Sequence, residues 1–314
     1  MAKCGKISII GAGNVGASLA QRVAEDCHSA IVLVDVIDGL PQGKALDISQ
    51  SAPIVGFSSS VSGSNDYADT AASDIVVITA GIGRKPGMTR DELIHTNKKI
   101  LSDVTHNVVE HSPNCTIVVV TNPVDAMTYL AHHVSGFSRN SVIGLSGVLD
   151  GARLGSFMIE ELKVLPSEVE TMVIGEHGQY MVVLPRLCKA KGKALTELLP
   201  AQRVHELVTR TIGGGAEIVS LLKMDSAYYA PSAAAARMVK AIALDEKAVM
   251  PCSAVLEGEY GLKDVALGVP VRLGEGGIEE IISLDLDDEE KTVLAEAATA
   301  VQKTIDIMKL GLWE

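Results

Sequence analysis

The sequence predicts an α/β protein: a doubly wound parallel sheet in the first half, followed by an α+β domain. Three observations predict it. Short apolar runs rich in Val and Ile alternate with stretches of helical period as far as residue 145. A glycine-rich turn separates the first run from the first helical stretch. Beyond residue 145 the alternation loosens, and strands and helices come in separate groups. A chain of 314 residues has room for two domains, each with its own core, divided as 1–145 and 146–314. Hydrophobic residues make up 47% of the chain but aromatics only 3%, so Val, Ile, Leu, Met and Ala must fill the interior. Branched aliphatics of that kind suit parallel strands buried on both faces.

The first strand is Lys6–Ile10. The turn Gly11-Ala12-Gly13-Asn14-Val15-Gly16 follows, then a helix over 17–25, then the strand Ala30–Val34 ending at Asp35. Strands are expected at 58–62, 74–79, 116–121 and 141–145, with helices at 40–50, 90–110 and 125–133 between them. In the second half the spacing predicts helices over 149–162, 201–223, 232–244 and 288–308, and strands at 168–174, 251–256, 268–273 and 281–284. The last helix places Leu294, Ala298, Val301, Ile305 and Met308 on one face, with Gly311 positioned to stop it. That pattern is core packing rather than a partner surface. Gly213-Gly214-Gly215 is unusual inside a helix. Close packing by a cofactor and close packing by a neighbouring helix both account for it.

The glycine turn has the Gly-x-Gly-x-x-Gly spacing in a strand–turn–helix context, with Asp35 nineteen positions beyond Gly16 at the end of the next strand. Gly11 allows the tight turn, Gly13 lets a pyrophosphate approach the backbone, and Gly16 permits close helix–strand packing. The helix N-terminus offers N–H groups to phosphates. Asp35 can accept hydrogen bonds from ribose hydroxyls and would repel a 2′-phosphate. Neither Val36 nor Ile37 is basic, so the cofactor expected of this Rossmann-type domain is NAD rather than NADP. The residues at the other strand ends, Ala80-Gly81 and Thr121-Asn122, fall on the same edge.

Formal net charge is −12 with no block of basic residues, which excludes nucleic acid and anionic membrane as partners. Five scattered cysteines, Cys4, Cys27, Cys115, Cys188 and Cys252, show no metal-ligand or redox spacing and imply reduced thiols in a cytoplasmic protein. No run approaches a transmembrane span, and the N-terminus lacks a signal-peptide apolar region. No metal site is expected: His132 and His133 are adjacent on a helix and point apart. The remaining histidines (His28, His95, His106, His111, His205) have no paired acid at useful spacing, and neither do those two. The acidic run 285–290 suggests a solvated helix cap.

Positive charge in so acidic a chain is notable where it gathers. The loop 81–93 carries Arg84 and Arg90 between glycines and a proline, which suits a lid closing over an anion. Leu149-Asp150-Gly151-Ala152-Arg153 puts an acid and a guanidinium on one helix face, and Gly175-Glu176-His177-Gly178 follows an apolar run. A surface ion pair and a turn histidine would look the same. Together, though, carboxylate, arginine and imidazole are the parts that move a proton while gripping an anionic substrate.

These motifs, with Thr121-Asn122-Pro123-Val124-Asp125 between them, occur in an order that closely resembles the malate dehydrogenases, on the lactate-dehydrogenase-like branch of the lactate/malate dehydrogenase family. The similarity spans nearly the whole chain. It implies an NAD-dependent oxidoreductase of the tricarboxylic acid cycle, cytoplasmic, and a homodimer or homotetramer. By that resemblance His177 is the proton acceptor and Asp150 its partner. Arg84 and Arg153 hold the two carboxylates of a small dicarboxylate, malate or oxaloacetate, and Arg90 polarises the reacting carbonyl. Asn122 touches substrate and nicotinamide, with Val120 and Thr121 alongside and Asn97 near the cofactor, while Ser232 lines the pocket. Lactate dehydrogenases carry glutamine where this chain has Arg84. Lactate or another 2-hydroxy acid as substrate is the alternative within the class, and a non-catalytic NAD-binding sensor the alternative outside it.

Overall fold

Continuous apolar runs become short strands of a parallel sheet in this computed structural model, which describes residues 5–83, 87–223 and 226–309. β1 (Lys6–Ile10), β2 (Ala30–Val34), β3 (Ser60–Ser64), β4 (Ile75–Ile78), β5 (Thr116–Val119) and β6 (Val142–Gly144) lie in the order β3-β2-β1-β4-β5-β6. All neighbours are parallel, and Ile7 stands opposite both Ile31 and Ile75. Helices α1 (Asn14–Cys27), α2 (Leu40–Val55), α3 (Arg90–His111) and α4 (Val124–Ser135) lie between them in the chain. Strand order reverses between β1 and β4, and such a reversal opens a crevice at the carboxyl ends. β4 and β5 are buried at every position, which is why their sequences run apolar without alternating.

The expected strands 74–79 and 116–121 are shorter in the structure. Thr79 and Val120 still donate backbone hydrogen bonds to Ile10 and Ile78, and with Thr121 they border the crevice just past the assigned strands. The strand expected at 58–62 lies two residues later, because this serine-rich edge strand has only a faint apolar pattern.

The second half comprises α5 (Gly147–Leu162), β7 (Val169–Glu170), β8 (Val173–Gly175), β9 (Met181–Val183), β10 (Lys189–Ala190), β11 (Lys193–Ala194), α6 (Leu195–Leu198), α7 (Ala201–Leu222), α8 (Tyr229–Ala243), β12 (Ala248–Glu257), β13 (Lys263–Gly274), β14 (Gly277–Ile281) and α9 (Asp288–Lys309). The expected strand 168–174 is broken, with β7 in a small sheet with β10 and β11 and β8 in the main one. The expected 281–284 strand lies earlier, as β14 hairpinned onto β13.

The main sheet does not end with the parallel strands. β6 pairs antiparallel to β12 through Gly144 opposite Ser253, and β13, β8 and β9 continue it. A Cβ on Gly144 would lie 2.2 Å from Thr128 Oγ1 and 2.8 Å from Ser253 Cβ, so only glycine fits at that seam. One buried cluster consequently runs through both halves, in place of the two separate cores expected. A smaller cluster, including Leu154, Met158, Val204 and Leu207, sits between α5 and α7.

On α9 the face from Leu294 to Met308 is buried, while Gly311 lies outside the described residues. Asp287 and Glu290 cap this helix reciprocally: each backbone N–H donates to the other's side chain, at 3.0 and 2.8 Å. Glu290 is not the solvated residue the acidic run suggested. Its carboxylate takes two hydrogen bonds from Arg186, at 2.9 and 2.7 Å.

The seat of α1 on the sheet yields a stability prediction. A Cβ on Gly16 would fall 1.8 Å from the Gly11 carbonyl oxygen. Overpacking of that kind costs roughly 1–3 kcal/mol. Gly16→Ala is expected to lower Tm by several degrees in a thermal melt and to weaken NADH binding. An unchanged Tm would show that α1 does not rest on this turn.

Candidate active site

The glycine turn is tied down from both sides. Gly11 has φ +109°, and a Cβ there would meet Thr79 Oγ1 at 2.6 Å. Asp35 Oδ2 accepts the Ala12 N–H at 2.7 Å and Oδ1 the Ile37 N–H at 3.0 Å, so the acid at the end of β2 holds the turn in place. Gly13 has nothing within 4 Å of where its Cβ would be. It caps α1 without a side-chain hydrogen bond, and the first turn of that helix, where Asn14, Val15 and Gly16 stand, carries no acidic residue. The positive end of the helix therefore faces open space, as a pyrophosphate requires. Val36 and Ile37 are exposed and apolar, which offers nothing cationic to a 2′-phosphate. These residues fit NAD.

Beyond the turn lies a cleft of 610 Å³. Val15, Thr79, the loop 81–83, Val120, Thr121 and Asn122 line it from the first half. Leu149, Arg153, His177, Ile212, Gly213, Gly215, Ala216 and Val219 line it from the second. Asn97 also borders the cleft, but its amide is committed to the backbone. Oδ1 accepts the Ile82 N–H at 2.8 Å, and Nδ2 donates to the carbonyls of Ile82 at 3.1 Å and Asn122 at 2.8 Å. It clamps the loops after β4 and β5 together.

Behind His177 and Arg153 on the far wall stands Asp150, its side chain 1% exposed. Oδ2 accepts from His177 Nδ1 at 2.8 Å, and Oδ1 accepts from Arg153 Nη1 at 3.0 Å. The pair on α5 is the i,i+3 neighbourhood of a helix face. His177 follows β8 at Gly175, whose φ of +87° turns the chain back towards β9. Because an ionised carboxylate only accepts, the neutral ring must carry its proton on Nδ1, leaving Nε2 to accept. Burial alone would lower the imidazole pKa. Asp150, through charge and hydrogen bond, and Asp125, through charge, outweigh that and raise it.

Asp125 is the functional candidate that sequence reasoning missed. It opens α4 in a helix turn that is otherwise apolar, and its Oδ2 accepts the His177 backbone N–H at 2.7 Å. Burial pushes its carboxyl up to about 6, against the opposing pull of Ser253 and His177. The available signal was an acid inside the Thr121–Asp125 motif with no cation nearby in sequence.

Other expectations fare differently. Arg84 lies outside the described residues. Arg90 is not at the cleft: it is the exposed first residue of α3, and its Nη2 reaches Thr304 Oγ1 on α9 at 3.5 Å. The capping box between Thr89 and Glu92 fixes that first turn. Ser232 is fully buried and donates to the Tyr229 carbonyl at 2.9 Å, so Pro231 faces the cleft instead. His133 does have an acid near it, Asp264 at 3.8 Å, from a strand too distant in sequence to anticipate.

Residues 5–144 match the lactate/malate dehydrogenase NAD binding domain, and residues 147–309 match the lactate/malate dehydrogenase alpha/beta C-terminal domain. The malate dehydrogenase of Dehalococcoides mccartyi is 57% identical over 305 residues, covering 97% of this chain and 99% of that protein. The structure of malate dehydrogenase from Salinibacter ruber superposes with a TM-score of 0.93 at 48% identity, covering 97% of this chain and 98% of that one. The lactate dehydrogenase of Cryptosporidium parvum, complexed with lactic acid and nicotinamide adenine dinucleotide, superposes with a TM-score of 0.94 at 38% identity, covering 98% and 99%.

Asp125 generates a pH prediction. Its folded pKa, about 6, lies above its ordinary 3.8, so the folded protein keeps a proton that the unfolded chain has released. The carboxyl therefore costs increasing stability as pH rises through that window. Asp125→Asn keeps an acceptor for His177 and removes the titration. Its Tm relative to wild type is expected to improve between pH 4.5 and pH 7 in paired melts. A difference that stays flat or moves the other way would show that Asp125 does not ionise against its burial.

Proposed function

The chain belongs to the lactate/malate dehydrogenase family, and from that premise we propose that it catalyses the reversible, NAD-dependent oxidation of (S)-malate to oxaloacetate. The observation that carries the reading is the buried Asp150 carboxylate held between His177 and Arg153, both of which line the cofactor cleft. The chemistry supplied by NAD, when bound, is acceptance of a hydride from the alcohol carbon.

His177 Nε2 takes the proton from the hydroxyl as the C–H bond breaks, and the imidazolium is stabilised by Asp150. In the reverse direction the same imidazolium returns the proton to the carbonyl oxygen. Arg153 receives one carboxylate of the substrate and Arg84 the other, each as a bidentate fork. Arg90 polarises the carbonyl once the loop 81–93 closes, which requires it to leave Thr304. Asn122 contacts the substrate beside the nicotinamide. Residues 1–145 hold the cofactor, and residues 146–314 supply the proton acceptor and one clamp.

A homodimer or homotetramer accounts for the apolar side chains left exposed on two helices, Leu46, Ile54 and Val55 on α2 and Leu221 and Leu222 on α7. A cytoplasmic location is supported by the free, buried state of Cys27, Cys115, Cys188 and Cys252.

Backbone similarity does not separate malate from lactate, because the superpositions on a malate and a lactate dehydrogenase are equally close. One side chain must decide, and Arg84 is that side chain. Pyruvate would leave its guanidinium desolvated and unpaired, and sites built for a polar group reject analogues lacking it by roughly 10⁴–10⁵. NADH oxidation followed by absorbance is expected to be fast with oxaloacetate and slow with pyruvate, and NADPH is expected to be a poor substitute. Arg84→Gln is expected to shift preference towards pyruvate by at least 10²-fold, on the order of 3 kcal/mol. Unchanged selectivity removes Arg84 from this role. No turnover with either acid would favour a non-catalytic NAD sensor.

A further inference from the structure

The three glycines in the middle of α7 need a reason, because glycine weakens a helix relative to alanine. Backbone conformation does not supply one: none of Gly213, Gly214 and Gly215 has positive φ. The surroundings of two of them do, whereas Gly213 has nothing within 4 Å of where its Cβ would be. A Cβ on Gly214 would lie 3.2 Å from Arg153 Cδ and 3.9 Å from its Nε. A Cβ on Gly215 would lie 3.5 Å from Arg153 Nη2. Arg153 reaches across from α5 and lies along bare helix backbone, its side chain 14% exposed. Its Nε is buried without a hydrogen-bond partner, so Nη1 on Asp150 is the polar tether the structure gives it. The position of the guanidinium is therefore set by that one bond and by the helix surface beneath.

We propose that Gly214 is a positioning residue for substrate recognition: its missing Cβ lets Arg153 lie flat, with Nη1 on Asp150 and the other edge of the fork presented to a carboxylate in the cleft. The proposal rests on the reading of Arg153 as a carboxylate clamp. A methyl group at 214 pushes Cδ aside by a few tenths of an ångström, and the displacement grows along the stem to the fork. Paired hydrogen bonds to a carboxylate tolerate this poorly. The contact at Gly215 is an ordinary van der Waals distance, so the demand there is weaker.

Gly214→Ala is expected to raise KM for oxaloacetate about tenfold with a smaller change in kcat, since misplacement by 1 Å can cost about 10²-fold. The Kd for NADH is expected to be unchanged and Tm not to fall, because alanine favours the helix. Gly215→Ala is expected to raise KM less. The decisive form is a cycle with Arg153→Ala, which removes the stem. Gly214→Ala should lower kcat/KM about tenfold when Arg153 is present and less than twofold when it is absent. An equal loss in both backgrounds overturns the positioning role while leaving Arg153 as the clamp. If Arg153→Ala by itself barely changes kcat/KM, the clamp reading fails and this inference fails with it.

Discussion

A single buried carboxylate with two partners organises the site. Asp150 is 1% exposed and sheltered from bulk solvent, and each of its oxygens takes a donor from the protein. One donor is the imidazole expected to move the proton, and the other is the guanidinium expected to hold the substrate. Removing either partner would leave part of that charge uncompensated, which typically costs several kcal/mol. On the proposed roles, the geometry of proton transfer and the geometry of anion binding are thus set by the two oxygens of one carboxylate. A disturbance at Arg153 is felt at His177 through Asp150.

The rest of the fold brings these groups to the cofactor edge. The sheet continues without a break from the parallel strands into β12, β13 and β8, so His177, two residues after β8, is carried by the same sheet as the glycine turn. Asp125 adds a second tie. It belongs to the first half of the chain yet accepts a hydrogen bond from the backbone of His177 in the second. That bond is made at the cost of a carboxyl pushed up to about 6 by burial. Asn97 performs the corresponding task on the cofactor side by joining two loop backbones. The side chains proposed to do chemistry are therefore held by side chains with no proposed chemical role.

Local features of this architecture were legible in the sequence. β1 and β2 keep the bounds that their apolar runs gave, and the glycine turn sits between β1 and α1 with Ala12 hydrogen-bonded to Asp35 at the end of β2. The acid and arginine on α5 share a face because helical spacing makes them neighbours. The partnership of Asp150 with His177 was implied by family resemblance, since nothing in the intervening residues measures their separation. What escaped depends on contacts between distant segments. Pairing of Gly144 with Ser253, which fuses the two halves into one sheet, leaves no trace in periodicity. β9, β10 and β11 are two or three residues long, too short to show alternation. Arg90 was placed in the site by the chemistry of its loop, whereas the structure lays it against α9. The glycines of α7 are visible as an anomaly, and only the path of Arg153 across Gly214 and Gly215 supplies a cause for those two.

The central claim is that Asp150 raises the proton affinity of His177 and holds Nε2 free to act. It is tested most directly by NMR titration of the His177 imidazole in protein with labelled histidine, with and without Asp150→Asn. The account predicts that His177 titrates above the ordinary 6.5 in the wild type and lower in the variant, where the Asp150 charge no longer opposes burial and only that of Asp125 does. A His177 pKa that is the same in both proteins would contradict it.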